Sequence, residues 1–212
     1  MYIEELQGVS FRSYSQLNVR FGPGVNVLVG SNGVGKTSVL DMVYYLSMCK
    51  SSSRVPDASC IRHGDDRFAI GGRYEGASGG LRVGLEYVRG SGKSVEVDGV
   101  ACERLREHIG RVPLVAIYPQ DTDLISDGGD LRRRFMNAAI SQYDGSYLVN
   151  LARYERVLQQ RNRVLKGEVR STGVLLDVLD GQLAEAAEGV YAAREAFCLS
   201  LIHIYEPTRQ YS

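Results

Sequence analysis

No charge of one sign dominates this sequence. Its 25 Lys and Arg balance 25 Asp and Glu across 212 residues, so net charge argues neither for nor against a nucleic-acid partner, and evidence for one must come from local clusters. Cysteine is scarce: Cys49, Cys60, Cys102 and Cys198 form no C-x-x-C pair, which argues against a thiol-ligated metal and for small apolar groups in a reduced, cytoplasmic protein. The N-terminus has no basic, apolar, cleavable leader, and no apolar run reaches the roughly 18 residues of a membrane span. An internal repeat, a long heptad array and the Asn/Thr-Lys-x-Asp guanine reader are also missing; the last absence argues against a GTPase. With 44% apolar residues, the chain can still bury a core.

What is there is an ordered series of patterns. Tyr2 to Leu6 and Leu17 to Phe21 read as short strands, and the Gly22-Pro23-Gly24 turn leads into Val25 to Val29, which has the pattern of a buried strand. From Thr37 the apolar spacing turns helical, with Val39, Leu40, Val43, Tyr44 and Leu46 on one side as far as Met48. Alternation between Arg67 and Val97, broken by glycine turns, predicts an antiparallel β meander. A short helix over Glu103 to Ile109 follows, then a second buried strand, Val112 to Tyr118. Three helices are expected beyond it: Leu131 to Gln142, Ser146 to Lys166 and Val174 to Phe197.

Between the strand at Val25 and the helix at Thr37 lies Gly30-Ser31-Asn32-Gly33-Val34-Gly35-Lys36-Thr37-Ser38, which satisfies the Walker A pattern. Glycines allow successive N–H groups to turn inward, and the helix N-terminus adds partial positive charge, so a polyphosphate is held without side-chain bulk. Lys36 is expected to reach the terminal phosphates, Thr37 to give its hydroxyl to Mg²⁺, and Ser38 to bond a phosphate oxygen. The cofactors implied are ATP and Mg²⁺.

The helical part hides a basic excess within the balanced total: Arg132, Arg133, Arg134, Arg153, Arg156, Arg161, Arg163, Lys166 and Arg170. Such cations attract phosphates by counterion release without reading bases, although a solvated helix face is their ordinary role. His63 and His108 lack nucleophile or ligand spacing and read as surface or hydrogen-bonded residues.

Several blocks together resemble the RecF family of bacterial DNA gap-repair and recombination-mediator ATPases. They are Leu6-x-x-x-x-Phe11-Arg12-Ser13-Tyr14, Phe21-Gly22-Pro23-Gly24-Val25-Asn26-Val27-Leu28-Val29-Gly30, the Walker A loop, Ser53-Arg54 and Pro119-x-Asp121-x-x-Leu124-Ile125. Further along come Leu131-Arg132-Arg133-Arg134-Phe135-Met136, Ile140-Ser141-Gln142-Tyr143-Asp144, Gln160-Arg161-Asn162-x-x-Leu165-Lys166, and Asp180-x-Gln182-Leu183-Ala184 with Arg194-x-x-Phe197. The likeness covers residues 1–198.

It implies an α/β fold: a P-loop NTPase of the ABC/SMC head type, with an antiparallel β meander and a helical lobe. Residues 1–126 would form the ATP-binding lobe and 127–198 the helical lobe. It further implies ATP-driven head dimerisation of the full-length protein on gapped, single- or double-stranded DNA. Recombination-mediator partners, fork maintenance and SOS induction are implied too, with slow DNA-dependent hydrolysis.

Arg132, Arg133, Arg134, Arg161, Arg163 and Lys166 are the candidate DNA contacts, Arg12 the candidate nucleotide neighbour, and Gln120 or Asp121 a metal-facing group beside Thr37. Gln120 stands where the family often has an acidic residue, and Asn137 where it usually has Asp. The alternatives are the head of another SMC-type repair ATPase, which needs long heptad arms, and a P-loop kinase, which needs a lid and an acceptor site.

A serine-glycine signature loop and a Walker B strand are not found. Ser78-Gly79-Gly80 lies in the meander, and Val174-Leu175-Leu176-Asp177 continues with helical spacing through Val178, Leu179, Leu183, Ala186 and Val190. The fold is therefore expected to stop before both, with no catalytic residue in this chain and negligible hydrolysis. Leu199-Ser200-Leu201-Ile202-His203-Ile204, continuing to Gln210, is a translation of CTGTCTCTTATACACATC and its extension, a transposase sequencing adapter. Residues 199–212 are accordingly expected to be a non-native, loosely held tail.

Overall fold

The computed structural model describes residues 1–76, 79–126, 128–168 and 173–205, the last three by their backbone alone. Ser78 of the Ser-Gly-Gly stretch in the meander, Arg170 of the basic cluster, the His203 side chain and tail residues 206–212 lie outside the described residues. The chain divides into two compact units, Met1–Ile117 and Tyr118–Ser212.

In the first unit, six strands make an antiparallel sheet in the order β2-β1-β3-β4-β5-β6. They are β1 (Tyr2–Phe11), β2 (Tyr14–Arg20), β3 (Arg67–Glu75), β4 (Leu81–Val88), β5 (Gly92–Val97) and β6 (Val100–Ala101). Register brings apolar residues to one face: Phe68 lies opposite Tyr87, Ile70 opposite Leu85, and Leu85 opposite Val95. Helix α1 (Lys36–Met48) packs its Val39, Met42, Tyr45 and Leu46 into the same core.

The approach of α1 is close enough to require glycine beneath it. A Cβ on Gly72 would meet Leu46 Cδ1 at 2.7 Å, and one on Gly8 would meet Met42 Sδ at 2.8 Å. Phe11, Tyr45 and Phe68 meet edge to face, with ring centroids 5.1 to 6.0 Å apart.

Four sequence expectations need correction. The buried face of α1 runs through Met42 and Tyr45, while Leu40 is exposed; a helix rich in apolar residues all round gives no unique face by spacing alone. Strand β1 extends to Phe11 and β2 begins at Tyr14, because the reversal uses Arg12 at φ 52° instead of a glycine or proline. The Glu103–Ile109 helix shrinks to a 3-10 turn over Leu105–Glu107.

The fourth concerns Val25–Val29 and Val112–Tyr118, which form no strand among the described residues. Val25, Val27, Val29, Val115 and Ile117 are all exposed, and only Val112 is buried. A β-branched run marks a strand that could be buried on both faces; burial itself needs paired neighbours, and here the described strands pair elsewhere.

The second unit contains α2 (Asp123–Ser126), α3 (Gly129–Ile140), α4 (Gly145–Leu165) and α5 (Gly173–Tyr205). Asp144 caps α4 by accepting the Tyr147 N–H at 3.0 Å, and hydrogen bonds from Ser146 and that amide hold its carboxyl below its ordinary pKa. Ile140, Tyr147, Leu151 and Val190 form a small core. At its edge the Tyr147 hydroxyl donates to Asn137 and accepts from Arg194 Nε, while Arg194 Nη2 also donates to Asn137 Oδ1.

On α5, Leu179, Ala186 and Val190 are buried as the helical spacing predicts, whereas Val178 is exposed. The helix continues through residues 199–205, where Leu199, Leu201 and Ile202 are exposed. Among the described residues no helix is long and apolar enough to cross a membrane.

Candidate nucleotide site

Gly35 is the N-cap of helix α1; its φ of 102° only glycine adopts without strain, and no side chain caps the helix. Ser38 and Val39 N–H groups return to the Gly35 carbonyl at 2.9 and 3.2 Å, so the positive end of the helix faces the loop. The Lys36 ammonium donates to the Gly30 and Ser31 carbonyls, both at 2.8 Å. Gly30 and Ser31 thus act through their backbone.

Tyr14 supports the loop from β2. Its hydroxyl donates to the Val34 carbonyl at 3.2 Å, and a Cβ added to Gly35 would lie 2.7 Å from the Tyr14 oxygen. Val34 itself is exposed.

A cleft of about 570 Å³ opens here, lined by Asn32, Gly33 and Gly35 to Ser38 of the loop and by Arg12, Ser13, Ser59 and Ile61. The last two arrive because the chain after α1 returns to the end of β1. Ile61 bridges Phe11, and Arg12 N–H donates to the Cys60 carbonyl at 2.8 Å.

Behind Arg12 stands Asp41, buried on α1 four residues after Thr37. Arg12 Nη2 lies 2.6 Å from Asp41 Oδ2 and 3.0 Å from the Ser51 and Ser53 hydroxyls. Asp41 also accepts from Ser51 Oγ at 2.9 Å and from the Ser52 amide and hydroxyl, both at 2.7 Å. Sequence reasoning missed Asp41, Tyr14 and Ser59. The available signal for Asp41 was an acidic residue inside the apolar run of α1.

The cleft lining contains no cysteine or histidine to act as nucleophile or base. Elsewhere, burial pushes the Cys49 thiol up to about 11 and the Cys60 thiol upward, which suppresses their thiolate forms. His108 is fully buried with Nε2 2.5 Å from the Leu46 carbonyl, and burial lowers its pKa.

Of the expected metal-facing residues, Thr37 is exposed in the first turn of α1. Gln120 and Asp121 belong to the other unit, in a 3-10 turn over Pro119–Thr122, where the Asp121 carboxylate accepts the Tyr118 N–H at 2.7 Å. Among the described residues no three His, Cys, Asp or Glu side chains gather as a metal cluster.

The expected DNA contacts start α3 and end α4. Arg133 and Arg134 pair with Asp130 at 3.8 and 2.5 Å, Arg161 with Asp180, and Arg163 with Glu168 at 3.4 Å. Arg132 Nη1 donates to the Leu124 carbonyl at 3.2 Å, and Lys166 is exposed.

Comparison with known proteins agrees with this geometry. The family model described as an AAA domain matches residues 5–138. The DNA replication and repair protein RecF of Porphyromonas gingivalis (strain ATCC 33277) is 42% identical over 206 residues, 97% of this chain and 56% of the relative. The chain thus spans little more than half the length of that curated relative.

A solved structure of the recombination mediator protein RecF with ATP, from the RecFOR pathway, aligns with a TM-score of 0.88 and 27% identity over 94% of this chain and 54% of that one. A structure from a study of ATP-driven dimerization of SMC ATPases aligns at TM-score 0.53 and 17% identity, over 68% of this chain and all of that one, and shows the shared head fold. The fold is that of a P-loop ATPase head with an antiparallel sheet and a helical lobe, and the chain belongs to the RecF family of AAA-domain proteins.

Proposed function

We propose that this chain is the ATP-binding part of a RecF-type protein, and that residues 30–38 hold the triphosphate. The observation that carries the reading is the uncapped, glycine-started helix α1 with Lys36 turned back over the loop carbonyls beside an open cleft. Backbone amides at the helix start and the Lys36 ammonium supply positive charge on one side, and Arg12 supplies it on the cleft wall.

Mg²⁺ fits this donor set. It takes few protein ligands and keeps phosphate oxygens and waters, so the exposed Thr37 hydroxyl in the first helical turn suffices as the loop's contribution. When bound, the ion neutralises charge on the phosphates. Lys36 would exchange loop carbonyls for phosphate oxygens, Ser38 would bond the same group, and Tyr14 would keep the Val34 carbonyl and the loop behind it in place. Gln120 and Asp121 are the further candidates for facing the metal.

For the whole protein we propose cytoplasmic, ATP-dependent action on gapped or duplex DNA in recombinational repair and replication-fork maintenance, with head dimerisation on nucleotide and a role in SOS induction. Arg132, Arg133, Arg134, Arg161, Arg163 and Lys166 are the candidate phosphate contacts on DNA. The pairs of Arg133, Arg134, Arg161 and Arg163 with nearby carboxylates would have to open on binding, and release of counterions from the DNA phosphates makes affinity steeply salt-dependent. Isothermal titration calorimetry tests the central reading: MgATP should give heat with this chain and none with Lys36→Met, and equal affinity for both proteins would refute it.

A further inference from the structure

We infer that Asp41 is a positioning residue that fixes Arg12 at the wall of the phosphate cleft, so that one helix both starts the triphosphate cradle and orients the cation opposite it. The inference rests on the ATP-binding reading above and adds a residue outside the Gly30–Ser38 loop.

The geometry is asymmetric. Among the described residues, the Arg12 guanidinium donates through Nη2, to Asp41, Ser51 and Ser53. The Arg12 side chain stays 26% exposed and lines the cleft with Lys36, Thr37 and Ser38, whereas Asp41 is 1% exposed. Nη2 is tied down and Nε is buried without a hydrogen-bond partner among the described residues, which leaves Nη1 for the cleft. A planar guanidinium held at one nitrogen is suited to offering another to a phosphate oxygen.

The carboxylate is itself immobilised. Ser51 Oγ, Ser52 Oγ and the Ser52 amide all donate to it, which leaves the Arg12–Asp41 vector little freedom. Asp41 lies one helical turn beyond Thr37, on the same side of α1, so a shift of the helix start would carry the anchor with it. The Arg12 backbone is also constrained, at φ 52° and bonded through its N–H to Cys60.

A purely structural staple between α1 and the serine loop would need only Asp41, Ser51 and Ser52. The inclusion of a partly exposed, cleft-lining arginine is what the positioning role explains.

The test is a double-mutant cycle on the chain, read by calorimetric MgATP affinity beside melting temperature. Asp41→Asn and Arg12→Ala should each weaken MgATP binding about tenfold, and the double variant should bind no more weakly than either, the non-additivity expected of one coupled unit. Wild-type affinity in folded Asp41→Asn, or fully additive losses, would overturn the inference even while Lys36→Met still abolishes binding.

An absence of MgATP heat with the wild-type chain would instead remove the ATP-binding reading itself, and this inference with it. If Asp41→Asn does not fold, Asp41→Glu and Arg12→Lys carry the cycle. Both keep the charges, but the first displaces the carboxylate and the second removes the planar fork, and an unchanged MgATP affinity in the two would equally overturn it.

Discussion

The sheet-and-α1 unit and the helical unit solve the same packing problem with different materials. In the first, three aromatic rings interlock beneath α1, and buried polar groups such as Asp41 and Ser47 are satisfied internally: Asp41 by Arg12 and the serine loop, Ser47 by donating to the Val112 carbonyl at 2.6 Å. In the second, a core of Ile140, Tyr147, Leu151 and Val190 is supplemented by surface pairs such as Arg153–Glu185 at 2.7 Å. Burial of large rings contributes several kcal/mol each, whereas exposed ion pairs contribute little. The difference teaches that the candidate nucleotide loop stands on the unit whose deformation is costly, while the candidate DNA contacts stand where charge can rearrange cheaply.

Core truncation offers the largest way to break this comparison. Phe68→Ala should cost about 3–5 kcal/mol in urea unfolding, and Leu151→Ala near the low end of its class, about 2 kcal/mol; equal costs would show that the cores are not so different. A middle-sized effect comes from pH. The unfolded chain protonates His108 near its ordinary pKa of 6.5 while the folded chain resists until a lower pH. Stability from this residue is therefore complete above the unfolded value of 6.5 and is lost progressively as the pH falls from there through the lower folded value.

The melting temperature should fall on acidification, and His108→Gln should flatten the fall; an unchanged slope would place the acid sensitivity elsewhere. The smallest effect belongs to the helical lobe. Arg161→Ala removes the exposed pair with Asp180 and should leave the melting temperature unresolved from wild type, and a clear drop would mean that surface pairs hold this lobe together.

Much of this was legible in the sequence because local chemistry enforces it. The Gly30–Lys36 loop is written in glycines whose positive φ the backbone demands, and the meander in alternation that its register confirms. Helices α3 and α4 fall within two residues of their expected limits, and α5 starts one residue early but runs past the expected Phe197 to Tyr205. The reversal at Arg12 was not legible, since a non-glycine residue at φ 52° carries no turn signature.

Asp41 reads like a solvated helix residue until Ser51 and Ser52, ten and eleven positions on, are seen folded back upon it. The apolar run Val25 to Val29 misleads in the other direction. Its composition records an aptitude for burial, but pairing supplies the burial, and the exposed valines show the two are separable.

The folded-back ammonium of Lys36 has a consequence for any calorimetric trace. Two carbonyls already hold that cation at hydrogen-bond distance, so an incoming anion recruits a group that is pre-aimed and competes for protons already engaged. The measured enthalpy will be a difference between two sets of bonds, smaller than a tally of the new contacts, while little side-chain freedom remains to be lost.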